Sequence, residues 1–277
     1  MNQEYLHPIT YITDCRDDNT LGRLRTRVST LFSGSSVVFV RVSSNLSSAD
    51  VEAAINLVDI IDAYDGHPGI ILVNVAPRNG NAKRWPNGTP FGWLQLGNLA
   101  IFTTIDGYTL SLIQKVLKQQ LTVKIYDIPT CVPKMDLSAE TQKRIINTQF
   151  RSFDYLPRLA AEIVHGRPLP ITETFSEIPI MPLSTCWIDS FGNIKTNILP
   201  EEIDFKVGED RVLRVGENKQ FRLPCYERLK DIPDNVAALT VGSSGLGDKR
   251  FIEIMKQGKS AACELGLTTG EQLRYIK

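Results

Sequence analysis

The fold of this chain is decided by residues 37–75, which open with Val37-Val38-Phe39-Val40-Arg41-Val42 and close with Gly69-Ile70-Ile71-Leu72-Val73-Asn74-Val75. Both runs are almost continuously apolar, which is typical of strands buried on both faces of a parallel sheet. Between them, Ser47-Ser48-Ala49-Asp50 provides a helix cap, and apolar residues then recur at positions 51, 54, 55, 58 and 61. A strand, a helix and a strand at this spacing predict a parallel pair and an α/β fold.

Further strands and helices extend this unit in both directions. The first strand runs into Asp14, and the last helix ends at Gly166. We therefore predict an N-terminal α/β domain with a mostly parallel sheet over residues 1–168. Its predicted strands are residues 11–13, 37–42, 69–75, 99–103 and 123–126, and its predicted helices are residues 51–61, 108–119, a segment from Ser138 onward and residues 155–165.

The rest of the chain has a different character. Four prolines and little periodicity between Gly166 and Pro182 indicate a linker, which we assign to residues 169–181. Residues 182–277 then alternate short strands with turns, which predicts a smaller C-terminal all-β, barrel-like domain. The predicted turns are Gly192-Asn193, Gly208-Glu209, Gly216-Glu217 and Gly245.

Composition excludes several classes of protein. Lys and Arg together number 31, as do Asp and Glu, so bulk charge favours neither nucleic acid nor an anionic membrane as a partner. No apolar run approaches the roughly 18 residues needed to span a bilayer, and the start of the chain does not resemble a signal peptide. We expect a cytoplasmic protein with reduced cysteines. The histidine and cysteine spacings do not predict a metal site.

The most informative motif lies in the second half of the chain and reads Asp189-Ser190-Phe191-Gly192-Asn193-Ile194-Lys195-Thr196-Asn197-Ile198. Gly192-Asn193 is a tight-turn pair, so Asp189 and Asn193 should present a carboxylate and an amide on one side of a short turn. A carboxylate can hold an ammonium group, an amide can read a purine edge, and the ring of Phe191 can stack on a purine. These groups suit a molecule such as S-adenosylmethionine, although a hairpin with polar turn residues would carry the same pattern.

Two motifs together resemble a known family. Asp-x-Phe-Gly-Asn-x-x-Thr-Asn-Ile at 189–198 resembles the signature of the S-adenosylmethionine hydroxide adenosyltransferases and the related fluorinases and chlorinases. Gly242-Ser243-Ser244-Gly245, followed by Phe251-Ile252-Glu253-Ile254 and Gly258-Lys259-Ser260-Ala261-Ala262, resembles that family's closing motif. The resemblance implies an α/β domain followed by a small β barrel. It also implies that Ser243 and Ser244 form a turn that binds the methionine end of the ligand through hydroxyls and backbone N–H groups.

The resemblance also implies ligand-binding residues in the first half. The family holds the ribose hydroxyls with the second Asp of a Thr-Asp-Phe-Gly-x-x-Asp loop. Here Thr13-Asp14 match, and Asn19 occupies the second acidic position. Asp17 or Asp18 could serve after a small shift, and an exposed acidic loop is an equally good interpretation.

The family's water-activating residues are not retained. Ala76 stands where the hydrolases have a catalytic Asp, and Arg78, Lys83 and Arg84 follow it. The position of the family's His holds Phe150, or Arg151 after a one-residue slip. Ser152 lies near the small hydroxyl pocket of the halide-using members. The resemblance therefore leaves Arg78, Arg84 and Ser152 as catalytic candidates and Ala76 as a residue lining the site.

Residues 87–93 form a turn-rich segment that ends at Trp93. This segment could provide the surface that stacks on the purine. A packed loop anchored by Trp93 explains the same residues equally well.

We expect an enzyme that binds S-adenosylmethionine as its substrate, without a further cofactor, and displaces methionine from the ribose 5′ carbon. The nucleophile would be water, hydroxide or another small anion. A catalytically inactive protein that binds an adenosine compound is the alternative, and a structural protein with an empty cleft is a third. The resemblance implies a homo-oligomer, in particular a trimer, with sites shared between subunits.

Overall fold

A seven-stranded sheet forms the centre of the N-terminal half in the computed structural model, which describes residues 7–42, 48–75, 85, 88–217 and 219–276. The strand order is β2-β1-β3-β5-β4-β6-β7. The strands are β1 (Ile9–Thr13), β2 (Val37–Arg41), β3 (Gly69–Asn74), β4 (Phe91–Leu96), β5 (Leu99–Thr104), β6 (Val123–Tyr126) and β7 (Glu173–Phe175).

Most strands of this sheet point the same way. The pairs β2–β1, β1–β3 and β3–β5 are parallel. Strand β4 is antiparallel to both of its neighbours, β5 and β6, so β6 points in the same direction as β5. The first four strands in the sheet order therefore end at one edge, which we call the carboxyl edge. Open α/β sheets bind ligands beyond this edge.

Helices cover both faces of the sheet. Two of them, α2 and α3, share an apolar core with one face, and α1 and α7 share a core with the other. The helices are α1 (Asp18–Leu31), α2 (Ala49–Ala63), α3 (Ser111–Leu117), α4 (Ile128–Cys131), α5 (Ala139–Ile146), α6 (Arg151–Asp154), α7 (Leu156–Val164) and α8 (Ala261–Leu265).

The C-terminal half contains two antiparallel sheets. One has the order β12-β13-β9-β8 and the other β11-β10-β14. Bridges Cys225–Leu239 and Ser184–Gln272 join their edges, so the strands close around a separate apolar core. The strands are β8 (Thr185–Ile188), β9 (Ile194–Thr196), β10 (Asp210–Val215), β11 (Lys219–Pro224), β12 (Ala237–Leu246), β13 (Lys249–Lys256) and β14 (Leu273–Ile276).

Helix α2 lies between the two halves. One of its sides packs on the large sheet, while Cys186, Trp187, Leu246 and Phe251 of the C-terminal half belong to the same apolar cluster. Eleven of its residues are buried as a result, in contrast to two in α1. The two halves therefore share one core in addition to their own.

The predicted fold class is confirmed: a mostly parallel N-terminal sheet precedes smaller antiparallel sheets. Several local predictions are wrong. Strand β2 is an edge strand with Val38 exposed, so it is not buried on both faces. Residues 91–93 lie in β4, not in a loop, and Gly245 lies inside β12. Helix α1 is absent from the prediction, because Leu24 and Val28 are its only buried residues and arginines dominate its surface.

The predicted domain boundaries remain a prediction, and β7 lies within the segment assigned to the linker. The described helices include none that is long and apolar enough to cross a bilayer.

Candidate functional site

The turn between β8 and β9 has the predicted hairpin form. The backbone N–H of Asp189 donates to the carbonyl oxygen of Asn193 at 3.1 Å, and the N–H of Gly192 donates back to the carbonyl oxygen of Asp189 at 2.9 Å. Gly192 has a φ of 81°, a conformation that favours glycine. A Cβ at this position would also overlap Ser260 at the start of α8. The turn therefore packs closely against the start of α8.

Hydrogen bonds fix the polar groups of this turn. Asp189 Oδ1 accepts from the backbone N–H groups of Phe191 and Asn193, both at 2.9 Å. Asp189 Oδ2 accepts from Asn193 Nδ2 at 3.0 Å. Asn193 is buried, whereas Phe191 is 79% exposed. The turn thus holds its carboxylate and amide rigidly beside an aromatic ring that is open to solvent.

A buried ion pair lies directly behind Asp189. Lys195 Nζ is 2.6 Å from Glu253 Oε1 and 3.8 Å from Asp189 Oδ2. The side chains of Lys195 and Glu253 are 8% and 1% exposed. The two residues face each other across the β9–β13 pair, so strand register creates the contact. Lys195 therefore bridges two carboxylates, with the shorter contact to Glu253.

The Ser243-Ser244 segment forms a bulge in β12, where the pairing with β13 shifts between Val241 and Gly245. The backbone N–H of Ser243 donates to Glu253 Oε1, and that of Gly245 donates to Asp59 Oδ1 of α2. These two N–H groups are therefore occupied within the protein. The expectation that the hydroxyls and backbone N–H groups of this segment bind a ligand stays a prediction.

Asp59 joins the N-terminal half to this arrangement. Burial raises the pKa of the Asp59 carboxyl to about 6, against the hydrogen bonds from Gly245 and Ser244 and the positive charge of Lys195. Nearby Glu253 raises this pKa further. We call the connected set of residues the Asp189 cluster; it comprises Asp59, Asp189, Asn193, Lys195, Ser243, Ser244 and Glu253.

The cluster unites four predicted site residues and adds three that the sequence does not indicate. Asp189, Asn193, Ser243 and Ser244 are predicted, whereas Asp59, Lys195 and Glu253 are not. The one available signal is Glu253, a charged residue inside the apolar run Phe251-Ile252-Glu253-Ile254. Gly242 also makes room for Glu253, because a Cβ at Gly242 would overlap the Glu253 side chain.

The N-terminal site residues lie at the carboxyl edge. Asp14 directly follows β1, and its backbone N–H donates to the carbonyl oxygen of Asn74 at the end of β3. Asp17 caps α1 by accepting a hydrogen bond from the N–H of Thr20 at 2.8 Å. Asn19 is exposed in the first turn of that helix. Asp14 and Asn19 are thus separated by the helix cap.

A small cavity of about 140 Å³ also lies at this edge. It is lined in part by Phe91, Tyr126, Asp127 and Arg151. Arg151 Nη1 donates to the carbonyl oxygen of Thr89, and burial lowers the Arg151 pKa. Asp127 Oδ1 is buried without a hydrogen-bond partner in the described part of the chain. The cavity therefore offers both a desolvated cation and an unpaired carboxylate oxygen.

Two further predicted residues have structural contacts. Ser152 is buried in α6, and its carbonyl oxygen accepts a hydrogen bond from the Tyr11 hydroxyl. Trp93 lies in β4 with Lys124 Nζ 4.8 Å from its ring centre. Its indole N–H is buried and unpaired among the described residues. Ala76, Arg78 and Arg84 lie outside the described residues.

The cluster and the carboxyl edge contact opposite ends of α2. Near its start, Asp50 accepts a hydrogen bond from the N–H of Tyr108, beyond the end of β5. Near its end, Asp59 contacts the bulge in β12. An α-helix rises 1.5 Å per residue, so these two contacts are roughly 14 Å apart along the helix. Within one chain, Asp14 and Asp189 therefore lie toward different ends of α2.

The described ranges contain no group of three or more His, Cys, Asp or Glu residues suited to a metal ion.

The C-terminal half is similar to a known family. Residues 184–274 match the family model of the SAM hydroxide adenosyltransferase C-terminal domain, where SAM is S-adenosylmethionine. Through this domain, the chain is similar to the SAM hydroxide adenosyltransferases. The match contains all the residues of the Asp189 cluster except Asp59. No curated protein matches the chain.

Solved structures share the fold over nearly the whole length of the chain. An uncharacterized conserved protein from Thermotoga maritima has a TM-score of 0.68 and 15% identity, over 97% of this chain and 100% of its own. A conserved hypothetical protein from Thermus thermophilus has a TM-score of 0.62 and 16% identity, over 98% of this chain and 100% of its own. At these identities the likeness shows the fold alone.

Proposed function

We propose that this protein binds S-adenosylmethionine and transfers its adenosyl group to water, hydroxide or another small nucleophile. The observation that carries the proposal is the rigid Asp189–Asn193 turn, because it lies inside the matched SAM hydroxide adenosyltransferase domain. The reaction forms a bond between the nucleophile and the ribose 5′ carbon. The bond from that carbon to sulfur breaks, and methionine leaves with the electron pair. With water as nucleophile, a proton is released and the other product is adenosine.

The turn supplies complementary groups for the ligand. The Asp189 carboxylate would hold the ammonium group of the methionine moiety, since Lys195 lies closer to Glu253 than to Asp189. The exposed ring of Phe191 would stack on the adenine, and the Asn193 amide would read its edge. The Ser243 hydroxyl, which donates to Glu253 Oε1 over a long 3.4 Å, would turn to the methionine carboxylate. Ser244 supports the bulge through its hydrogen bond to Asp59.

Little acid–base chemistry is required for this reaction. The sulfonium is already a good leaving group, so in-line positioning and removal of water from the nucleophile supply most of the rate. The cavity beside Arg151 is of a size that suits a small nucleophile. Arg78, Arg84 and Ser152 remain catalytic candidates from the resemblance.

We infer that a ligand that touches Asp14 and Asp189 together lies between two chains. The positions of these residues at different ends of α2 support such a shared site, and the family resemblance favours a trimer. Mixing Asp14→Ala and Asp189→Ala variants should then restore some intact sites through subunit exchange. Binding no better than that of either variant alone, despite verified exchange, would refute a shared site.

Methionine release tests the proposed reaction. Incubation with S-adenosylmethionine should give methionine and adenosine in equal amounts when water is the nucleophile. Asp189→Ala should abolish most of this activity, whereas Asp248→Ala should not, because Asp248 is an 88% exposed carboxylate of the same domain. Equal activity of the two variants would refute the assignment of Asp189.

An inactive binding protein is the second candidate, and the surroundings of Phe150 favour it. This residue takes the position of the family's His, unless a one-residue slip in register places Arg151 there. Phe150 stacks on Phe153 with ring centres 5.4 Å apart and lies under the guanidinium of Arg23. It has no group that can transfer a proton, and general acid–base groups contribute about 10²–10⁴-fold. Binding of S-adenosylmethionine without methionine release, with any of several small anions present, would establish this candidate.

A further inference from the structure

A cluster of arginines lies along α1, away from the Asp189 cluster. Arg23 and Arg27 project from α1, Arg144 from α5 and Arg158 from α7. Burial lowers the pKa of both Arg27 and Arg158. The positive charges of Arg23 and Arg144 lower the pKa of Arg27 further, and those of Arg27 and Arg144 lower the pKa of Arg158 further. Like charges gathered in this way repel one another unless anions compensate them.

The protein compensates this charge only in part. The buried carboxylate of Asp154 accepts hydrogen bonds from Arg144 at 3.2 Å and from the Thr148 hydroxyl at 2.6 Å. Glu162, the other carboxylate near Arg158, is held by Arg167 through two hydrogen bonds. Arg27 Nη1 and Arg158 Nε are buried and have no hydrogen-bond partner in the described part of the chain. The cluster thus has an excess of positive charge.

Aromatic rings hold two of these arginines in place. The Arg23 guanidinium lies 4.8 Å from the ring centre of Phe150 and 4.6 Å from that of Phe153. The Arg27 guanidinium lies 4.2 Å from the ring centre of Phe153. A guanidinium that stacks on a ring uses its flat face, so its N–H edge stays available for an oxyanion. Both guanidinium groups therefore lie against the ring of Phe153.

A groove of about 590 Å³ runs beside these arginines. Gly22, Arg23, Thr26 and Arg27 line it, together with Phe153. A Cβ at Gly22 would have no atom within 4 Å, so no packing contact requires glycine there. Glycine inside a helix is unfavourable, yet here it leaves the groove open. Asp18, which also lines the groove, supplies one opposing charge.

We propose that this groove binds a phosphate or phosphomonoester group, held by Arg23 and Arg27 with the Thr26 hydroxyl as a further donor. The planar donor edges of arginine match the oxygens of a phosphoryl group, and the uncompensated charge behind them attracts it. The desolvation that lowers the pKa of Arg27 would be offset by such a counter-ion. The site is independent of the proposed adenosyl transfer.

Titration of the full-length protein with inorganic phosphate, followed calorimetrically at constant ionic strength set by sodium chloride, tests this site. We expect saturable binding that Arg23→Gln and Arg27→Gln each weaken by about tenfold, the effect of one charge-assisted hydrogen bond. Arg23 is exposed, so Arg23→Gln should fold normally. Arg25→Gln is the matched control, because Arg25 lies on the same helix over the ring of Phe39.

Three results would overturn the proposal. One is the absence of saturable phosphate binding to the wild-type protein. Another is an equal loss in the Arg25→Gln control, which would show general attraction to the helix. The third combines two observations: the wild-type protein does not bind phosphate, and the Arg23→Glu variant changes its oligomeric state. This result would make the groove a contact between copies of this chain.

Discussion

Lys195 and Glu253 form an ion pair of 2.6 Å whose side chains are almost completely inaccessible to water. Glu253 Oε2 has no hydrogen-bond partner among the described residues. The charge of Glu253 is therefore balanced only at Oε1, by the Lys195 ammonium group and the backbone N–H of Ser243. Removing two charges from water is costly, and their mutual attraction offsets this cost only when the pair stays complete. The stability of the C-terminal half should therefore depend strongly on keeping both members of this pair.

Lys195→Met should destabilise the protein by about 3–5 kcal/mol, because it leaves Glu253 buried and uncompensated. Urea unfolding at pH 7 measures this loss. Lys249→Met is the control, since the exposed Lys249–Asp248 pair should contribute at most about 1 kcal/mol. The double variant Lys195→Met with Glu253→Gln should lose less free energy of unfolding than the two single variants lose in sum. Additive losses would show that the two side chains do not act as a pair.

Asp59 should make stability depend on pH between about 4 and 6. Its pKa is raised to about 6 in the folded state, so the folded state binds more protons than the unfolded state in this range. Stability contributed by Asp59 is consequently present at low pH and falls as pH rises, by about 1–3 kcal/mol. Urea unfolding at several pH values should show that Asp59→Asn gains stability relative to wild type as pH increases. Parallel curves for the two proteins would contradict the raised pKa.

Asp189→Ala should weaken S-adenosylmethionine binding more than adenosine binding, because the carboxylate is assigned to the ammonium group. The loss for S-adenosylmethionine should be about 1–3 kcal/mol, the usual cost of leaving a ligand donor unpaired. Calorimetric titration of both ligands measures the difference. An equal loss for the two would show that Asp189 supports the shape of the turn and does not contact the ammonium group.

Gly22→Ala should stabilise the protein by about 0.5–1 kcal/mol, since alanine favours the helix and its Cβ meets no neighbouring atom. Gly92→Ala provides the contrast. A Cβ there would overlap Val123 and lie 3.0 Å from Ile125 Cδ1, so we expect a loss of about 1–3 kcal/mol. Thermal unfolding separates the two outcomes. A destabilised Gly22→Ala variant would show that α1 needs flexibility at this position.

The sequence predicts features that depend on near neighbours and misses those that depend on distant ones. The Gly192-Asn193 hairpin is predictable because its turn chemistry is local. The bulge at Ser243 and Ser244, in contrast, is not predictable. Its residues look like those of a turn, and only the pairing with β13 shows that the strand continues through them. The Lys195–Glu253 contact likewise arises from the register of β9 and β13.

Burial is the other quantity that local patterns do not supply. The run from Val37 to Val42 has the pattern of a fully buried strand, but its place at the sheet edge leaves Val38 exposed. Conversely, Asp59 has the pattern of a solvent-facing helix residue, although the bulge in β12 covers it. Asp14 and Asp189 are both predicted as polar site residues, yet no local pattern measures the distance between them.

The shared core around α2 has a consequence for how the protein unfolds. Because Trp187, Leu246 and Phe251 pack on a helix of the N-terminal half, neither half can unfold without exposing apolar surface of the other. Amide hydrogens in α2 and β12 should consequently exchange with deuterium through one common opening event, while α1, with two buried residues, exchanges earlier. The chain would then unfold as a single cooperative unit, with α1 the first of its long helices to exchange.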